Sequence, residues 1–311
     1  MKVVLPALAR QLLEPRLPAG LDITWVATRA EATAAMVDAE IGWVDLYPHG
    51  LTQEAVAAAT RLRWLFTAIA GIESLDLATL RGAGTIVTNG AGINAVAVAE
   101  YAVMGILVAA KRYDHVVRIA DRHEWPESAP GRQEVLETRA LIVGYGAIGR
   151  LIGERLAAFG VEVTGVTRSG RDGTLTPNGW KPRLADFDWV ILAAPSTGDT
   201  KAAIGTPEFD AMKTSAWLVN IARGDMVDQD ALIAALGNRT IAGAFLDTVD
   251  PEPLPPEHPL WSAPNVIHSM HLAGRSQTKM FVRAADLFLR NLSKFRAGET
   301  MENVVDLDAG Y

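Results

Sequence analysis

The stretch ALIVGYGAIGRLIGERLAAFG, residues 140–160, decides the fold. Four β-favouring residues run directly into Gly144-Tyr145-Gly146-Ala147-Ile148-Gly149, and the apolar spacing that follows is helical. A G-x-G-x-x-G pattern between a strand and a helix has a physical meaning that the bare pattern lacks. Gly144 permits the tight turn, Gly146 lets the backbone approach a pyrophosphate, and Gly149 lets helix and strand pack closely. The phosphates then lie on the unpaired N–H groups and positive end of the helix, with Ala147 and Ile148 in its first turn. An ordinary βα turn is the bland alternative, and the strand–turn–helix setting favours a dinucleotide.

Downstream, β-rich runs recur at Val161 to Val166, Trp189 to Ala193, Ala216 to Asn220, Ile241 to Phe245 and Val266-Ile267. With Ala140 to Val143 they make about six strands, the number expected of a complete dinucleotide-binding sheet. Upstream, Val3-Val4-Leu5, Ile23-Thr24-Trp25, Ile41 to Val44, Trp64 to Thr67 and Ile86-Val87-Thr88 alternate with Ala-rich helical stretches. That alternation indicates a second parallel sheet covered by helices. From Asn94 to Arg112, Val96, Ala99, Val103, Ile106, Leu107 and Ala110 follow helical spacing, which suggests one long helix crossing between domains. Ser276 to Phe295 reads as an amphipathic helix returning to the first domain. The 311 residues suit two domains.

Lys plus Arg total 29 against 36 for Asp plus Glu, giving a net charge of −7. This balance disfavours nucleic acid and anionic membrane as partners. There are no cysteines, so disulfides, thiolate nucleophiles and cysteine-held metals are excluded. Pro6 and Arg10 interrupt the apolar amino terminus, and the uncharged stretch from Gly82 to Ala99 is broken by glycines and asparagines. A cytoplasmic protein with no membrane segment is the expectation.

An NAD-binding sheet usually offers an acid to the adenosine ribose about twenty residues past the glycines. Here the strand VEVTGV ends in Thr167-Arg168-Ser169-Gly170-Arg171, with no acid before Asp172. A guanidinium beside a hydroxyl suits a ribose 2′-phosphate, so NADP is expected, with NAD possible. The bland alternative is a solvated arginine at a strand end.

Several further motifs follow in one direction at successive strand ends: Asn220-Ile221-Ala222-Arg223-Gly224-Asp225, Leu246-Asp247, Asp250-Pro251-Glu252-Pro253, His258-Pro259-Leu260-Trp261 and His271-Leu272-Ala273-Gly274. With Ala70-Gly71-Ile72, the Asn94 to Glu100 segment and the glycine motif, this ordered set resembles the D-isomer-specific 2-hydroxyacid dehydrogenase family, over most of the chain. The resemblance implies that Arg223 anchors the substrate, His271 donates the proton and Glu252 pairs with the histidine. It also implies that backbone N–H groups of Ala70, Gly71 and Ile72 hold the substrate carboxylate. Val98, Ile221, Ala222, Asp247 and Gly274 would then surround the nicotinamide, and Ala194 and Pro195, with Ser196-Thr197, would border the adenine or its ribose.

The chemistry needs these residue types. A planar guanidinium can hold a 2-oxo acid by paired donors. Hydride arriving at the carbonyl carbon leaves charge on oxygen, which an imidazolium quenches by giving up its proton. A carboxylate on the other ring nitrogen fixes the ring and favours its charged form. Each residue has an ordinary alternative: a surface cation for Arg223, a solvated acid for Glu252, a structural ring for His271. His268, three residues earlier, competes for the donor role. His49, His115, His123 and His258 read as structural or exposed, and no metal-ligand spacing is present. Ser269-Met270 stands where the family usually has Thr-Pro, which leaves the backbone entering His271 less constrained. Tyr101 stands where many members have histidine.

The expected architecture is therefore α/β, with two doubly wound parallel-sheet domains. A flavodoxin-like substrate domain spans 1–96 and is completed by 276–311, and a Rossmann dinucleotide-binding domain spans 97–275, with the active site in the cleft. The expected reaction is reduction of a small 2-oxo acid of the glyoxylate, hydroxypyruvate or pyruvate kind to the D-2-hydroxy acid. A homodimer through the long helices is what the resemblance implies. Trp43, Tyr47 and His49 are candidates for touching the substrate's side chain. The rival reading is a dinucleotide-sensing regulatory protein on the same fold, and turnover with 2-oxo acids discriminates the two.

Overall fold

The computed structural model describes residues 1–46, 50–72, 75–275 and 277–308. They form two compact units, Met1–Asn94 with Gln277–Tyr311, and Ala95–Ser276.

In the first unit, β1 (Lys2–Pro6), β2 (Asp22–Val26), β3 (Ile41–Trp43), β6 (Trp64–Phe66) and β7 (Ile86–Thr88) make a parallel sheet of order β2-β1-β3-β6-β7. Counting only these five, that is the flavodoxin-type order 2-1-3-4-5. Between them, β4 (Asp45–Leu46) and β5 (Gly50–Leu51) form a short antiparallel pair that alternation did not reveal. The sheet is covered on both faces, so its strands are continuous apolar runs: Val3, Val4, Leu5, Trp64, Leu65 and Phe66 are fully buried. Helix Met280–Ala297 belongs to this unit because Phe288 stacks on Trp64 at 5.0 Å and meets Trp43 at 5.6 Å and Phe66 at 5.5 Å. Past that helix, Val305 donates its N–H to Val87 O, and Asn303 accepts from Asn89, which covers the β7 edge.

This packing corrects one expectation. Trp43 is wholly buried in the aromatic cluster and contributes to the core rather than to a substrate pocket. Tyr47 and His49 lie outside the described residues.

In the second unit, β8 (Arg139–Val143), β9 (Glu162–Val166), β10 (Trp189–Leu192), β11 (Trp217–Asn220), β12 (Gly243–Leu246) and β13 (Val266–His268) are parallel, in the order β13-β12-β11-β10-β8-β9. The Rossmann position beyond β9 is held by a single bridge, Val166 to Leu175. Pro177 and the glycines at 173 and 179 leave no length for a strand there. The count of six is thus right, although the third strand of the usual order is reduced to one residue and β13 supplies the sixth.

The long helix is Ala95–Lys111 and lies within the second unit rather than crossing to it. It stops at Arg112, whose φ of 48° turns the chain into a second helix, Tyr113–Asp121. Among the described residues, no helix is long and apolar enough to cross a membrane.

Asp45 is the buried acid of the first unit. Its Oδ2 accepts from Trp43 Nε1 (2.9 Å) and Ala68 N (2.5 Å), and its Oδ1 from Thr67 Oγ1 (2.9 Å). Burial pushes its carboxyl up to about 6, against the pull of those donors. An unfolded chain ionises this group near 3.8. Between the two values the folded protein holds a proton that the unfolded chain has lost, so raising the pH through this window favours unfolding. A shift of about two units is worth about 3 kcal/mol, present in full below pH ~4 and gone above pH ~6. Denaturant unfolding from pH 4 to 7 should show this decline in the unmutated protein minus Asp45→Asn, and a flat difference would refute it.

Candidate active site

The glycine turn has the geometry that its spacing implies. Gly144 has φ 99°, and a Cβ there would sit 2.4 Å from Ala194 N, so the turn lies against the Ala194-Pro195 segment after β10. A Cβ on Gly149 would sit 2.2 Å from Gly144 O, which confirms its packing role. On Gly146 it would meet nothing within 4 Å, so this glycine answers no need of the chain itself and leaves an open approach at the helix start. Helix Ala147–Ala158 begins there, with its first N–H groups lacking intrahelical partners. Tyr145 fills a slot that two further glycines open: a Cβ on Gly165 would lie 2.4 Å from its Cγ, and one on Gly153 would lie 2.5 Å from its hydroxyl. Neither glycine was singled out in the sequence, because the spacing of the motif does not include them.

At the end of β9, Arg168 and Ser169 are exposed. Thr167 Oγ1 accepts from Gly170 N at 3.1 Å and lies 2.7 Å from Thr174 Oγ1, and Ser169 Oγ accepts from Arg171 Nε at 3.0 Å. A third cation stands at this end: the Arg150 guanidinium lies over the Tyr145 ring and 3.7 Å from Asp172.

His271 and Glu252 are paired. His271 Nδ1 and Glu252 Oε2 are 2.6 Å apart, and Glu252 Oε1 accepts from Val249 N at 3.1 Å. Both side chains are partly exposed, 42% and 34%. His271 Nε2 has no partner among the described residues and is the nitrogen available to a reacting group. With Nδ1 directed to a carboxylate, a proton on Nε2 can be given to an oxyanion.

Asp247 sets where this ring stands. Its Oδ1 accepts from Ser269 Oγ (2.7 Å), Leu272 N (3.0 Å) and Ala273 N (3.2 Å), while its carbonyl accepts from His271 N at 2.6 Å. Burial pushes the Asp247 carboxyl up, and the Ser269, Ala273 and Leu272 donors oppose the shift. Met270 and His271 have φ values of 52° and 54°. A proline cannot adopt a positive φ, so the Thr-Pro form of this turn is unavailable in this geometry. Far from leaving the histidine loosely held, Met270 permits a left-handed pair that Asp247 fastens from four donors.

Arg223 follows β11. Asn220 organises its loop by donating from Nδ2 to Arg223 O at 2.8 Å and accepting from Ala222 N at 3.1 Å, and Arg223 Nη1 donates to Ala222 O at 2.8 Å. A Cβ on Gly224 would lie 2.0 Å from Val249 C, so this loop abuts the one leading to Glu252. Val98 and Ile221 are buried in one apolar cluster with Ala273, and Gly274 comes next in the chain. A cavity of about 470 Å³ is lined by Glu252, Leu254, Trp261, Met270, His271 and Arg275, among others.

His268 is engaged by its surroundings. Its Nε2 meets Leu260 O at 3.2 Å, its ring lies 4.7 Å from Trp261, and burial lowers its pKa. His258 Nδ1 accepts from Leu260 N at 3.2 Å. No metal-ligating cluster exists among the described residues.

In the first unit, Ala70 O accepts from Asn89 Nδ2 at 2.8 Å. The backbone N–H groups of Ala70, Gly71 and Ile72 donate to no other described residue. Three successive unengaged N–H groups are what an anion-binding loop presents.

Against known proteins, the family described as D-isomer specific 2-hydroxyacid dehydrogenase, NAD binding domain, matches residues 103–273. A glyoxylate reductase of Korarchaeum cryptofilum is 31% identical over 273 residues, 85% of this chain and 82% of the relative. A crystal structure of a D-isomer specific 2-hydroxyacid dehydrogenase family protein from Aeromonas salmonicida superposes with a TM-score of 0.87 at 26% identity, over 99% of both chains. The structure of an NADPH-dependent glyoxylate/hydroxypyruvate reductase from Sinorhizobium meliloti gives 0.77 at 26% identity, over 98% of both.

Proposed function

The chain belongs to the D-isomer-specific 2-hydroxyacid dehydrogenase family, and on that premise we propose that it reduces a small 2-oxo acid to the D-2-hydroxy acid with NADPH. Substrates of the glyoxylate, hydroxypyruvate or pyruvate kind are the ones its similar proteins are named for in part, and a cytoplasmic setting goes with that role. The observation that carries the reading is the 2.6 Å pair of His271 and Glu252, with Nε2 unengaged among the described residues. A regulatory sensor of dinucleotides has no need of a ring so held.

Gly144, Gly146, Ala147, Ile148 and Gly149 take the pyrophosphate, and Ala194 and Pro195 border the adenosine end. Val98, Ile221, Ala222, Asp247 and Gly274 surround the nicotinamide. The reduced dinucleotide, when bound, supplies the hydride. In the second unit Arg223 holds the oxo acid with its carbonyl oxygen at His271 Nε2, and in the first unit the N–H groups of Ala70, Gly71 and Ile72 suit a carboxylate. The imidazolium gives that oxygen its proton as charge develops, and Glu252 stabilises the ring before transfer and orients it throughout. Turnover of a panel of 2-oxo acids with each cofactor tests the reading, and no reduction of any of them overturns it.

The second unit also carries an apolar groove lined by Val103, Met104, Leu107, Tyr113 and Phe159, in which Met104, Tyr113 and Phe159 are strongly exposed for their type. We assign it to a second copy of the chain, along the helix Ala95–Lys111. Sedimentation at micromolar concentration should give a dimer, and a monomer there would refute the assignment.

His271→Ala should lower kcat by about 10²-fold or more while leaving dinucleotide affinity intact, because the lost step is proton transfer. His268→Ala should be far milder in rate, since that ring meets Leu260 O and Trp261. Reversed severities would mean that the wrong histidine has been assigned.

Arg168→Ala should raise KM for NADPH and barely change that for NADH, because NADH has no 2′-phosphate to pair with a guanidinium. Equal kcat/KM for the two cofactors in the unmutated protein would remove the NADPH preference without touching the reaction.

A further inference from the structure

The carboxylate-holding loop hangs on a side chain two strands away in sequence, one that no motif includes. Asp45 follows β3, and the loop follows β6, its neighbour in the sheet. Asp45 Oδ2 accepts from Ala68 N at 2.5 Å and Oδ1 from Thr67 Oγ1 at 2.9 Å. The same Thr67 hydroxyl accepts from Ile69 N at 3.1 Å, so the carboxylate acts on two successive backbone N–H groups, one directly and one through the threonine. From the other side, Gly90 N donates to Ile69 O at 3.0 Å and Asn89 Nδ2 to Ala70 O at 2.8 Å. A Cβ on Gly90 would lie 1.9 Å from Ala68 O, so the two loops are in backbone contact. The segment 67–70 is thereby fixed at four points, and the N–H groups with no acceptor among the described residues are those of Ala70, Gly71 and Ile72.

A carboxylate in this place is expensive, since burial pushes it up to about 6 and no cation is among its partners. A neutral amide would be cheaper to bury, but its NH2 would have to face one of the three groups, and the Thr67 hydroxyl would then accept from it instead of donating. An acceptor on both arms takes Trp43 Nε1, Thr67 Oγ1 and Ala68 N all as donors, as they are found.

We propose that Asp45, acting through Thr67 and Ala68, is a positioning residue that orients the Ala70-Gly71-Ile72 backbone for the substrate carboxylate. This rests on the reading of that loop as the carboxylate holder. The effect belongs to substrate capture: a misplacement of about 1 Å in a binding group is costly to the reaction it serves, whereas the dinucleotide is held by residues of the other unit.

Steady-state kinetics of Thr67→Val, Thr67→Ser and Asp45→Asn provide the test. Thr67→Val keeps the shape of the side chain and removes the hydroxyl that links Asp45 to Ile69 N. It should raise KM for the oxo acid about tenfold, with KM for NADPH unchanged and kcat at saturation within about threefold. Thr67→Ser keeps the hydroxyl and should restore KM, and Asp45→Asn, if it folds, should match or exceed the valine variant. An unchanged oxo-acid KM in Thr67→Val overturns the proposal, as does a parallel rise in both KM values, which would mark a general loss of structure. If the unmutated protein reduces no oxo acid, the proposed reaction fails by itself. Calorimetric binding of oxalate then decides the loop: weaker in Thr67→Val than in the unmutated protein supports it, and equal affinity overturns it.

Discussion

One residue, Asp247, fixes the turn that carries His271. Asp247 Oδ1 gathers Ser269 Oγ, Leu272 N and Ala273 N, while the Asp247 carbonyl takes His271 N. Those four bonds hold two consecutive non-glycine residues, Met270 and His271, in the left-handed region. Such a conformation is unfavourable in isolation and persists where its surroundings determine it. The ring carried on that turn stands with Nδ1 2.6 Å from Glu252 Oε2. Glu252 is fixed in turn by the Val249 N–H, and Val249 comes within reach of the Arg223 loop only because residue 224 has no Cβ.

The sequence carried the strands and the glycine turn openly, for a simple reason. Strands of parallel sheets are buried on both faces, so Val3-Val4-Leu5 and Ala140 to Val143 appear as uninterrupted apolar runs. Glu252 and His271 were legible by resemblance, as parts of an ordered set of motifs, and the structure brings the two together. What stayed hidden depends on contacts between residues distant in the chain. Trp43 reads as a plausible pocket residue beside polar neighbours, yet Phe288, some 240 residues later, draws it into the core. The slot for Tyr145 needs Gly153 and Gly165, on a helix and a strand, and no local spacing links the three. The missing third strand is a matter of length, since a single residue, Leu175, makes the bridge.

Asp45 and Asp247 are the same device used twice. Each follows or ends a strand run near the carboxyl edge of its sheet, each is buried, each gathers three donors and each is driven upward by burial. Neither has a cation among its hydrogen-bond partners. A buried ion pair would offset the desolvation more fully but would place a long side chain at the sheet edge. Hydrogen-bonded hubs instead spend the charge on backbone N–H groups, and so convert electrostatic energy into the position of a loop.

That conversion explains why both hubs lie under loops rather than under helices or strands. A helix or a sheet satisfies its own backbone and needs no external acceptor, but a loop at a strand end does not. A loop can be exact only if something buried and directional holds it, and an ionised carboxylate accepts without donating, so it cannot be satisfied in a reversed sense. An amide could flip and leave the loop in either of two settings. In the first unit the N–H groups of Ala70 to Ile72 have no acceptor among the described residues. In the second, His271 Nε2 has no partner among the described residues. The unengaged groups thus lie next to or within the segments that each acid has fixed.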